Sequence, residues 1–127
     1  MKLNRSIGLI LLLLAGSVVG SSGQPNEAER KQFEAVKARA DKGDGEAQLE
    51  LSSRYATGDG VTKDGAKAMK WLRKAAEQGV ARAQCLLGLS YASGDGVKKP
   101  DKVEAVRWLR RAADQGLAEA QFDLGTF

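Results

Sequence analysis

The sequence predicts an all-α fold built from repeated helix pairs, and three observations predict it. First, the chain contains an internal repeat: "AQLELSSRYATGDGV" at 47–61 aligns with "AQCLLGLSYASGDGV" at 83–97, with nine of fifteen residues identical. Second, apolar residues recur at three- and four-residue spacing, which is typical of helices that bury one face. Third, no segment alternates apolar and polar residues in the manner of a half-buried strand.

The first twenty residues are predicted to be a secretory signal peptide. Lys2 and Arg5 form a short basic start, the run at 7–19 is apolar or small, and more small residues follow it. This three-part pattern is typical of signal peptides, and the run is shorter than the roughly 20 residues that span a bilayer. We therefore expect a signal peptide at 1–20, cleaved near Ser21, a linker at 21–26, and an exported protein that is periplasmic or extracellular.

The composition of the mature chain disfavours several classes of function. Without Lys2 and Arg5, 18 of the 20 basic residues remain against 16 acidic ones, so neither nucleic acid nor a membrane is an expected partner. The chain has no histidine, the usual general base near neutral pH and the commonest zinc ligand. Cys85 is the only cysteine, and its repeat equivalents Leu49 and Phe122 favour a buried apolar role for it. We expect no cofactor and no metal.

The repeat divides residues 27–127 into units of two helices. A partial unit at 27–43 precedes complete units at 44–79 and 80–116, and a second partial unit follows at 117–127. The first helix of each complete unit is predicted at 47–57 and 83–93 and is expected to be the shorter one. The second helices, "DGAKAMKWLRKAAEQG" at 64–79 and "DKVEAVRWLRRAADQG" at 101–116, are identical at nine of sixteen positions.

Residues suited to helix starts mark the boundaries of these helices. Asp64 and Asp101 stand where an N-cap is expected. Asp101 with Glu104, and Asn26 with Glu29, have the spacing of capping boxes, in which the cap and the third helical residue bond each other's backbone. The sequence therefore predicts helices that begin after Asn26, Asp64 and Asp101.

The Gly-Asp-Gly stretches at 58–60 and 94–96 are predicted to be turns. A phosphate-binding loop would follow a strand, and none is predicted here. A calcium loop would need several more oxygen ligands than Asp59 and Asp64 supply. Gly58 and Gly60 instead provide backbone conformations closed to other residues, and we expect Asp59 to bond its own turn.

Three kinds of residue are expected to serve packing between helices. Trp71 and Trp108 occupy equivalent positions and are predicted to lie in the core. Gly88 and Gly125 are predicted to lie inside helices, where glycine is unfavourable unless a neighbouring backbone passes close by. Ser52, at the position equivalent to Gly88, is small enough for the same role.

Positions that differ between the copies are candidates for binding a partner. Packing positions on the two first helices are shared, whereas three other pairs of equivalent positions differ: Glu50, Ser53 and Arg54 in the first copy, and Leu86, Leu89 and Ser90 in the second. A stripe with an apolar patch beside a charged one suits an extended peptide or a partner helix. The alternative is that Leu86 and Leu89 are buried against a neighbouring helix.

The combined pattern, AQxxLGxxYxxGxGVxxDxxKAxxWxxKAAxxG, resembles the Sel-one-like repeat, a relative of the tetratricopeptide repeat. The resemblance covers nearly all of 27–127, with Ser52 replacing the glycine found at Gly88 and Gly125. It implies a right-handed superhelical solenoid of antiparallel helix pairs. It also implies a scaffold or adaptor for protein–protein interactions, with the partner bound on the concave face.

The resemblance also leaves an alternative function open. Some secreted, cysteine-rich relatives of this family bind or hydrolyse β-lactams, so the second functional hypothesis is a penicillin-binding or β-lactam-hydrolysing protein. The paired cysteines of that subgroup are missing here, as is the Ser-x-x-Lys motif of serine β-lactamases. We therefore expect no enzymatic activity.

The last helix is expected to leave an apolar surface open. It begins at Ala118 and carries Phe122, Leu124 and Phe127, and no second helix follows to cover them. End units of solenoids need polar surfaces to remain soluble alone. Self-association through this end is therefore expected, with fraying of the helix as the alternative.

Overall fold

The computed structural model describes residues 24–127 and places six α-helices in this part of the chain. In chain order they are α1 (Glu27–Asp41), α2 (Gly45–Thr57), α3 (Gly65–Glu77), α4 (Ala81–Ser93), α5 (Lys102–Asp114) and α6 (Ala118–Leu124). No strand occurs among the described residues, and the predicted all-α fold is confirmed. The predicted signal peptide at 1–20, and 21–23 of the predicted linker, lie outside the described residues.

The helices pack in sequence order as a stack of antiparallel pairs. α2 pairs with α3 and α4 with α5, while α1 packs against α2 and α6 against α5. The prediction of shorter first helices is wrong, because all four paired helices have 13 residues. The chain leaves the preceding helix through one left-handed glycine, Gly43 or Gly79, with φ of 93° and 96°. Because the turn is this short, α2 and α4 begin at Gly45 and Ala81, two residues earlier than predicted.

Side-chain caps fix the starts of α1, α3 and α5. Asn26 Oδ1 accepts from the backbone N–H of Glu29 at 2.9 Å, and Glu29 Oε2 accepts from that of Asn26 at 2.8 Å, so this capping box is confirmed. The aspartate caps of α3 and α5 are confirmed as well. The capping box predicted at Asp101 is only half formed. The Glu104 carboxylate accepts from Arg107 at 2.7 Å instead.

The core consists of three apolar clusters, and each joins three helices that are consecutive in the chain. A fully buried leucine lies in each cluster: Leu51, Leu87 and Leu109. The first cluster joins α1, α2 and α3, the second joins α3, α4 and α5, and the third joins α4, α5 and α6. The stack is thus stabilised by contacts between neighbours, as in other repeat arrays.

Two packing positions differ from expectation. Trp108 is buried as predicted, but Trp71 is half-buried at the edge of the first cluster, with Lys74 Nζ 4.5 Å from its ring centroid. Gly125, predicted inside a helix, is the C-cap of α6 because the helix ends at Leu124.

The second helix of each pair crosses the first at one small residue. A Cβ added at Gly88 would lie 2.8 Å from Leu109 Cγ and 3.1 Å from the carbonyl oxygen of Ala105. At the equivalent position of the first pair, Ser52 Oγ donates to the carbonyl of Ala68 at 2.6 Å. The predicted close approach is present at both positions, and Ser52 adds a buried hydrogen bond to it.

The Gly-Asp-Gly stretches are turns that return the chain from the first helix to the second. Their glycines have φ angles of 81° at Gly58, 73° at Gly60, 90° at Gly94 and 75° at Gly96. Such angles are rarely open to residues with a side chain, so the predicted need for glycine is confirmed. Asp59 differs from expectation, because its Oδ2 accepts from Arg54 Nη1 at 3.2 Å rather than from its own turn.

A glutamine near the start of each first helix joins that helix to the one before it. Its side-chain amide donates to a backbone carbonyl eight residues earlier in all three copies: Gln48 to Ala40, Gln84 to Ala76 and Gln121 to Ala113. These carbonyls lie in the last turn of a helix, where no residue four positions later continues the helix to bond them, and each also accepts from the backbone N–H of the glycine three residues later. The repeated "AQ" of the sequence is explained by this bond.

Candidate functional site

An open groove of about 400 Å³ lies between the first helices of the two complete units. Seven residues line it: Arg39, Glu46, Leu49, Glu50, Ser53, Arg82 and Leu86. All but Arg39 belong to α2 or α4, and we therefore call it the first-helix groove. α2 and α4 are held side by side because Leu49 packs against the cluster that contains Leu87 of α4.

The structure brings half of the predicted partner-binding residues into this groove. Three of them line it: Glu50, Ser53 and Leu86. The other three lie on the same two helices but outside the groove lining: Arg54, Leu89 and Ser90. The predicted stripe and the groove therefore overlap without coinciding.

Leu86 and Leu89 are exposed to solvent. Their relative exposures are 41% and 39%, which places them among the few large apolar side chains open to water in the described residues. The alternative in which they are buried against a neighbouring helix is wrong. The reason is that α4 buries its Leu87 and Cys85 instead, and this turns the positions of Leu86 and Leu89 outward.

Arg54 fixes one wall of the site. Its guanidinium bonds Glu50 Oε1 through Nε at 3.3 Å and Nη2 at 3.1 Å, and it bonds Asp59 Oδ2 through Nη1 at 3.2 Å. The Arg54 side chain is 13% exposed, whereas that of Glu50 is 45% exposed. Arg54 therefore links the groove carboxylate to the Gly-Asp-Gly turn and holds it in place.

Four residues of the groove were missed by the sequence reasoning. Glu46 and Arg82 are equivalent positions of opposite charge, and Leu49 is equivalent to Cys85. The comparison of copies that selected Glu50 and Leu86 would also have found these three positions. Arg39 belongs to α1, the second helix of the preceding unit, so no comparison of first helices could have found it.

Arg39 is oriented by an ion pair at the edge of the groove. Its Nη2 and Nε lie 2.9 and 3.2 Å from Asp44 Oδ2. The hydrogen bond from Arg39, with a second from the backbone N–H of Ala47, holds the pKa of Asp44 below its ordinary value. Asp44 is therefore charged at neutral pH, and it caps α2 while it positions Arg39.

The groove combines a small apolar floor with charges of both signs. Leu49 and Leu86 supply the apolar contacts, and two arginines and two glutamates surround them. No cluster of three or more histidine, cysteine or acidic side chains suited to a metal occurs within residues 24–127. The arrangement suits recognition of an amphipathic segment, in which apolar contact gives affinity and charge gives register.

Cys85 lies below the surface of α4 and is not part of the groove. It is 2% exposed, and its Sγ lies 3.7 Å from Asp123 Oδ2 on α6. Burial, followed by the nearby Asp123 carboxylate, raises the pKa of this thiol to about 11. The expected buried role is confirmed, and the thiol stays protonated at neutral pH.

Comparison with known proteins places the repeats in a family. The family model described as "Sel1 repeat" matches residues 45–80 and 81–117. A solved Sel1 repeat protein from Oxalobacter formigenes is 45% identical, with a TM-score of 0.72, over 76% of this chain and 71% of that one. Helicobacter pylori cysteine rich protein B is 26% identical, with a TM-score of 0.70, over 86% and 80% of the two chains.

Two longer proteins of Escherichia coli share part of the chain. The protective antigen c5321 of uropathogenic strains, which has an SLR fold, is 47% identical with a TM-score of 0.70, over 74% of this chain and 20% of its own. The secretory immunoglobulin A-binding protein EsiB of strain O6:H1 (CFT073) is 48% identical over 43 residues. That match covers 34% of this chain and 9% of EsiB, so the chain spans a small part of either relative.

These matches confirm the resemblance found in the sequence. Sel1 repeat proteins generally act as scaffolds that bind protein partners, and they typically have no enzymatic activity. Residues 24–127 contain no helix with the length and apolar character needed to cross a bilayer. With two repeats matched over more than half of its length, the chain belongs to the Sel1 repeat family.

Proposed function

We propose that this protein is an exported interaction module that binds a peptide or a helix of a partner protein in the first-helix groove. The groove itself is the observation that carries the proposal. It brings two leucine side chains, Leu49 and Leu86, together with four charged ones in a single open groove.

The pattern of variation between the copies supports a binding role for the groove. Ala47, Leu51 and Tyr55 of α2 recur as Ala83, Leu87 and Tyr91 of α4; five of these side chains are buried in the core, and Tyr91 is partly buried against it. The groove positions differ between the copies, as Glu46 differs from Arg82. A packing role would favour the same residue in each unit, whereas contact with a partner of its own sequence would not.

The exposure of Leu86 also favours a partner. A helix can cover a single exposed leucine on its own surface with long neighbouring side chains, but Leu86 opens into a concave region next to Leu49. Concave apolar surfaces with a charged rim are typical of helix and peptide recognition. EsiB, which shares one stretch of the repeats, is named for binding a protein, and this agrees with a protein partner here.

Export is proposed from the pattern of the first twenty residues. The test is to express the full chain with a C-terminal tag and to sequence the N-terminus of exported material. A start near Ser21 is expected. Recovery of exported protein that begins at Met1 would contradict cleavage of a signal peptide.

The binding role is tested by site-specific crosslinking. A photoreactive amino acid at Leu86 should give a discrete adduct with one partner, which mass spectrometry identifies. The matched control carries the same amino acid at Val103 of α5, which is 70% exposed and lies outside the groove. The same adduct from both positions would contradict a role for the groove.

Affinity for the identified partner then decides the role of the apolar floor. Leu86→Asp should weaken binding by about tenfold or more, as truncation of a central contact does. Val103→Asp should leave binding within about twofold, as expected for a residue outside the interface. Both positions are exposed, so circular dichroism should show unchanged helix content.

A further inference from the structure

The second-helix side of the stack carries a basic depression that the first-helix groove does not use. Two cavities, of about 430 and 360 Å³, adjoin at Arg73 of α3. The first also contains Lys70 and Lys74 of the same helix, and the second contains Lys98 and Lys99 of the loop between α4 and α5. We call these five residues and the space between them the Arg73 channel.

Few negative charges balance the Arg73 channel. None of its five basic residues forms an ion pair with an acidic side chain among residues 24–127. Two carboxylates line it, Glu77 and Asp101. Asp101 already accepts from the backbone N–H groups of Val103 and Glu104, since it caps α5. The channel therefore has an excess of positive charge in a concave site.

The equivalent surface one unit earlier, on α1 and the loop between α2 and α3, does not carry the same excess of positive charge. There Lys37 takes the position of Arg73, and its Nζ is paired with Asp41 Oδ2 at 3.1 Å. The first loop has Thr62 and Lys63 where the second has an additional residue, in "KKP" at 98–100. The excess charge is thus a property of the surface on α3 and the loop between α4 and α5 rather than a requirement of the fold.

The loop that carries Lys98 and Lys99 is held against α3. A Cβ added at Gly96 would lie 2.5 Å from Met69 Cε, which shows how closely the loop crosses the helix. Arg73 Nη2 donates to Tyr91 Oη at 3.4 Å, which ties the head of Arg73 to α4. Lys98 and Lys99 are therefore held close to Arg73, and Lys70 and Lys74 extend the basic depression along α3.

We propose that the Arg73 channel binds an acidic peptide segment of a partner protein. Charge complementarity requires an anionic occupant. Two cavities that adjoin at one residue admit an extended chain more readily than a flat bilayer. Tyr91 is the one aromatic residue that lines the two cavities, whereas proteins that bind single-stranded nucleic acid stack successive bases on several aromatic rings.

The test uses a fluorescent peptide of alternating glutamate and glycine and measures its anisotropy with the purified protein. The double variant Arg73→Glu/Lys98→Glu should bind the peptide about tenfold more weakly, since each attraction becomes a repulsion. The matched control is Lys31→Glu/Lys63→Glu, which makes the same change in net charge on α1 and on the loop between α2 and α3. It should bind within about twofold of the unaltered protein, because neither Lys31 nor Lys63 lines the channel.

Three outcomes would overturn the proposal. Equal losses in the two double variants would mean that net charge alone attracts the peptide. Binding to vesicles rich in phosphatidylglycerol, without binding to the peptide, would identify a lipid surface as the occupant. Loss of peptide binding in Leu86→Asp would place the acidic segment in the first-helix groove instead. Because Leu86→Asp tests the first-helix groove separately, either proposal can fail without the other.

Discussion

Gly60 and Gly96 occupy equivalent places in the two turns, but a side chain at each would meet different neighbours. Both have positive φ, 73° and 75°. A Cβ at Gly60 would lie 2.7 Å from the carbonyl oxygen of Glu29, which is fixed in the first turn of α1. A Cβ at Gly96 would meet the end of the Met69 side chain, which can change rotamer.

The contact with Glu29 predicts that alanine costs more at Gly60 than at Gly79, a left-handed glycine without such a neighbour. Gly60→Ala should lower the free energy of unfolding by about 2–4 kcal/mol, through left-handed backbone strain and overpacking together. Gly79→Ala should cost only about 1–2 kcal/mol, because its φ is 96° but no atom lies within 4 Å of the added Cβ. Urea denaturation followed at 222 nm measures both values.

Gly65→Ala provides the control for the urea series. Gly65 is helical, its φ is not positive, and nothing lies within 4 Å of an added Cβ. The substitution should leave stability unchanged or raise it slightly, since alanine favours helix. Equal losses in Gly60→Ala and Gly79→Ala would show that contact with α1 is unimportant.

Cys85 predicts a pH dependence of stability. Burial raises its pKa from 9.0 to about 11, so between these values the unfolded thiol loses its proton while the folded one keeps it. Stability due to this group is fully present below pH 9 and is lost as pH rises, by up to about 1.4 kcal/mol per pH unit. Cys85→Ala should therefore show a shallower decline in the free energy of unfolding between pH 9 and 10.5. Parallel curves for the two proteins would contradict the buried, protonated thiol.

At the scale of the helix, the two complete units differ in the hydrogen bonds made by the glutamine at the end of their second helix. Gln115 at the end of α5 donates to Gln84 Oε1 and to the carbonyl of Gly79, both at 2.9 Å. The equivalent residue at the end of α3, Gln78, makes neither bond, and Gln48 Oε1 is buried without a partner among the described residues. The buried glutamine side chain of the second complete unit, Gln84, therefore has more of its hydrogen bonds formed than Gln48 of the first.

Substitution of the two helix-end glutamines should show this difference. Gln115→Ala should destabilise the protein by about 1–2 kcal/mol, because two hydrogen bonds are lost and Gln84 Oε1 loses its partner. Gln78→Ala should cost less than about 0.5 kcal/mol, as is usual for a surface substitution. Both residues are C-caps with the same backbone role, so any effect of alanine on the cap itself is the same in the two variants and does not contribute to the difference between them. Equal costs from chemical denaturation would contradict a role for the Gln115 hydrogen bonds.

Much of each element could be predicted from the sequence, because the repeat shows which positions the fold requires. The helix starts at Asn26, Asp64 and Asp101 follow from local chemistry and are confirmed. The second half of the Asp101 box could not be predicted, since Glu104 has a competing partner, Arg107, one helical turn away. Local patterns show which bonds are available but not which of two available bonds forms.

The candidate site was only partly predictable, because a groove depends on how neighbouring units sit together. Variation between copies identified Glu50, Ser53 and Leu86, which line the groove. Whether Leu86 is open or covered depends on the distance between α2 and α4, which no pattern within one helix contains. Arg39 enters the groove from the preceding unit, and the comparison of first helices had no means of including it.

At the scale of the whole molecule, charge is divided between the two sides of the stack. The exposed positions of α3 and α5 carry eight basic residues against two acidic ones, Glu77 and Asp114; the basic residues are Lys67, Lys70, Arg73, Lys74, Lys102, Arg107, Arg110 and Arg111. The first helices carry more acidic than basic ones: Glu46, Glu50, Glu119 and Asp123 against Arg54 and Arg82. The nearly balanced composition is therefore an average over two unlike faces, and it hides the Arg73 channel.

The surface beside α5 predicts how copies of the chain associate with one another. A depression of about 920 Å³ beside α5 is lined by Val103 and Phe127, which are 70% and 49% exposed, and by Arg107 and Arg110. Exposed apolar surface of this kind favours self-association. If two copies meet through this depression, their arginines approach one another, and the like charges oppose the apolar contact. Because salt screens such repulsion, self-association through the depression should become stronger as salt is raised.

Light scattering after size-exclusion chromatography, at several protein concentrations and at low and high NaCl, measures this effect. We expect a concentration-dependent rise in mass that is larger at high salt, and its loss in Val103→Asp/Phe127→Asp. Phe122→Asp separates the depression from the last helix, since Phe122 is 75% exposed on α6 but lies outside the depression, and loss of association in this variant would place the contact on α6. Dimerisation that weakens with salt would point instead to the acidic first helices of one copy meeting the basic second helices of another. In that case Arg73→Glu/Lys98→Glu should abolish it while Val103→Asp/Phe127→Asp leaves it intact.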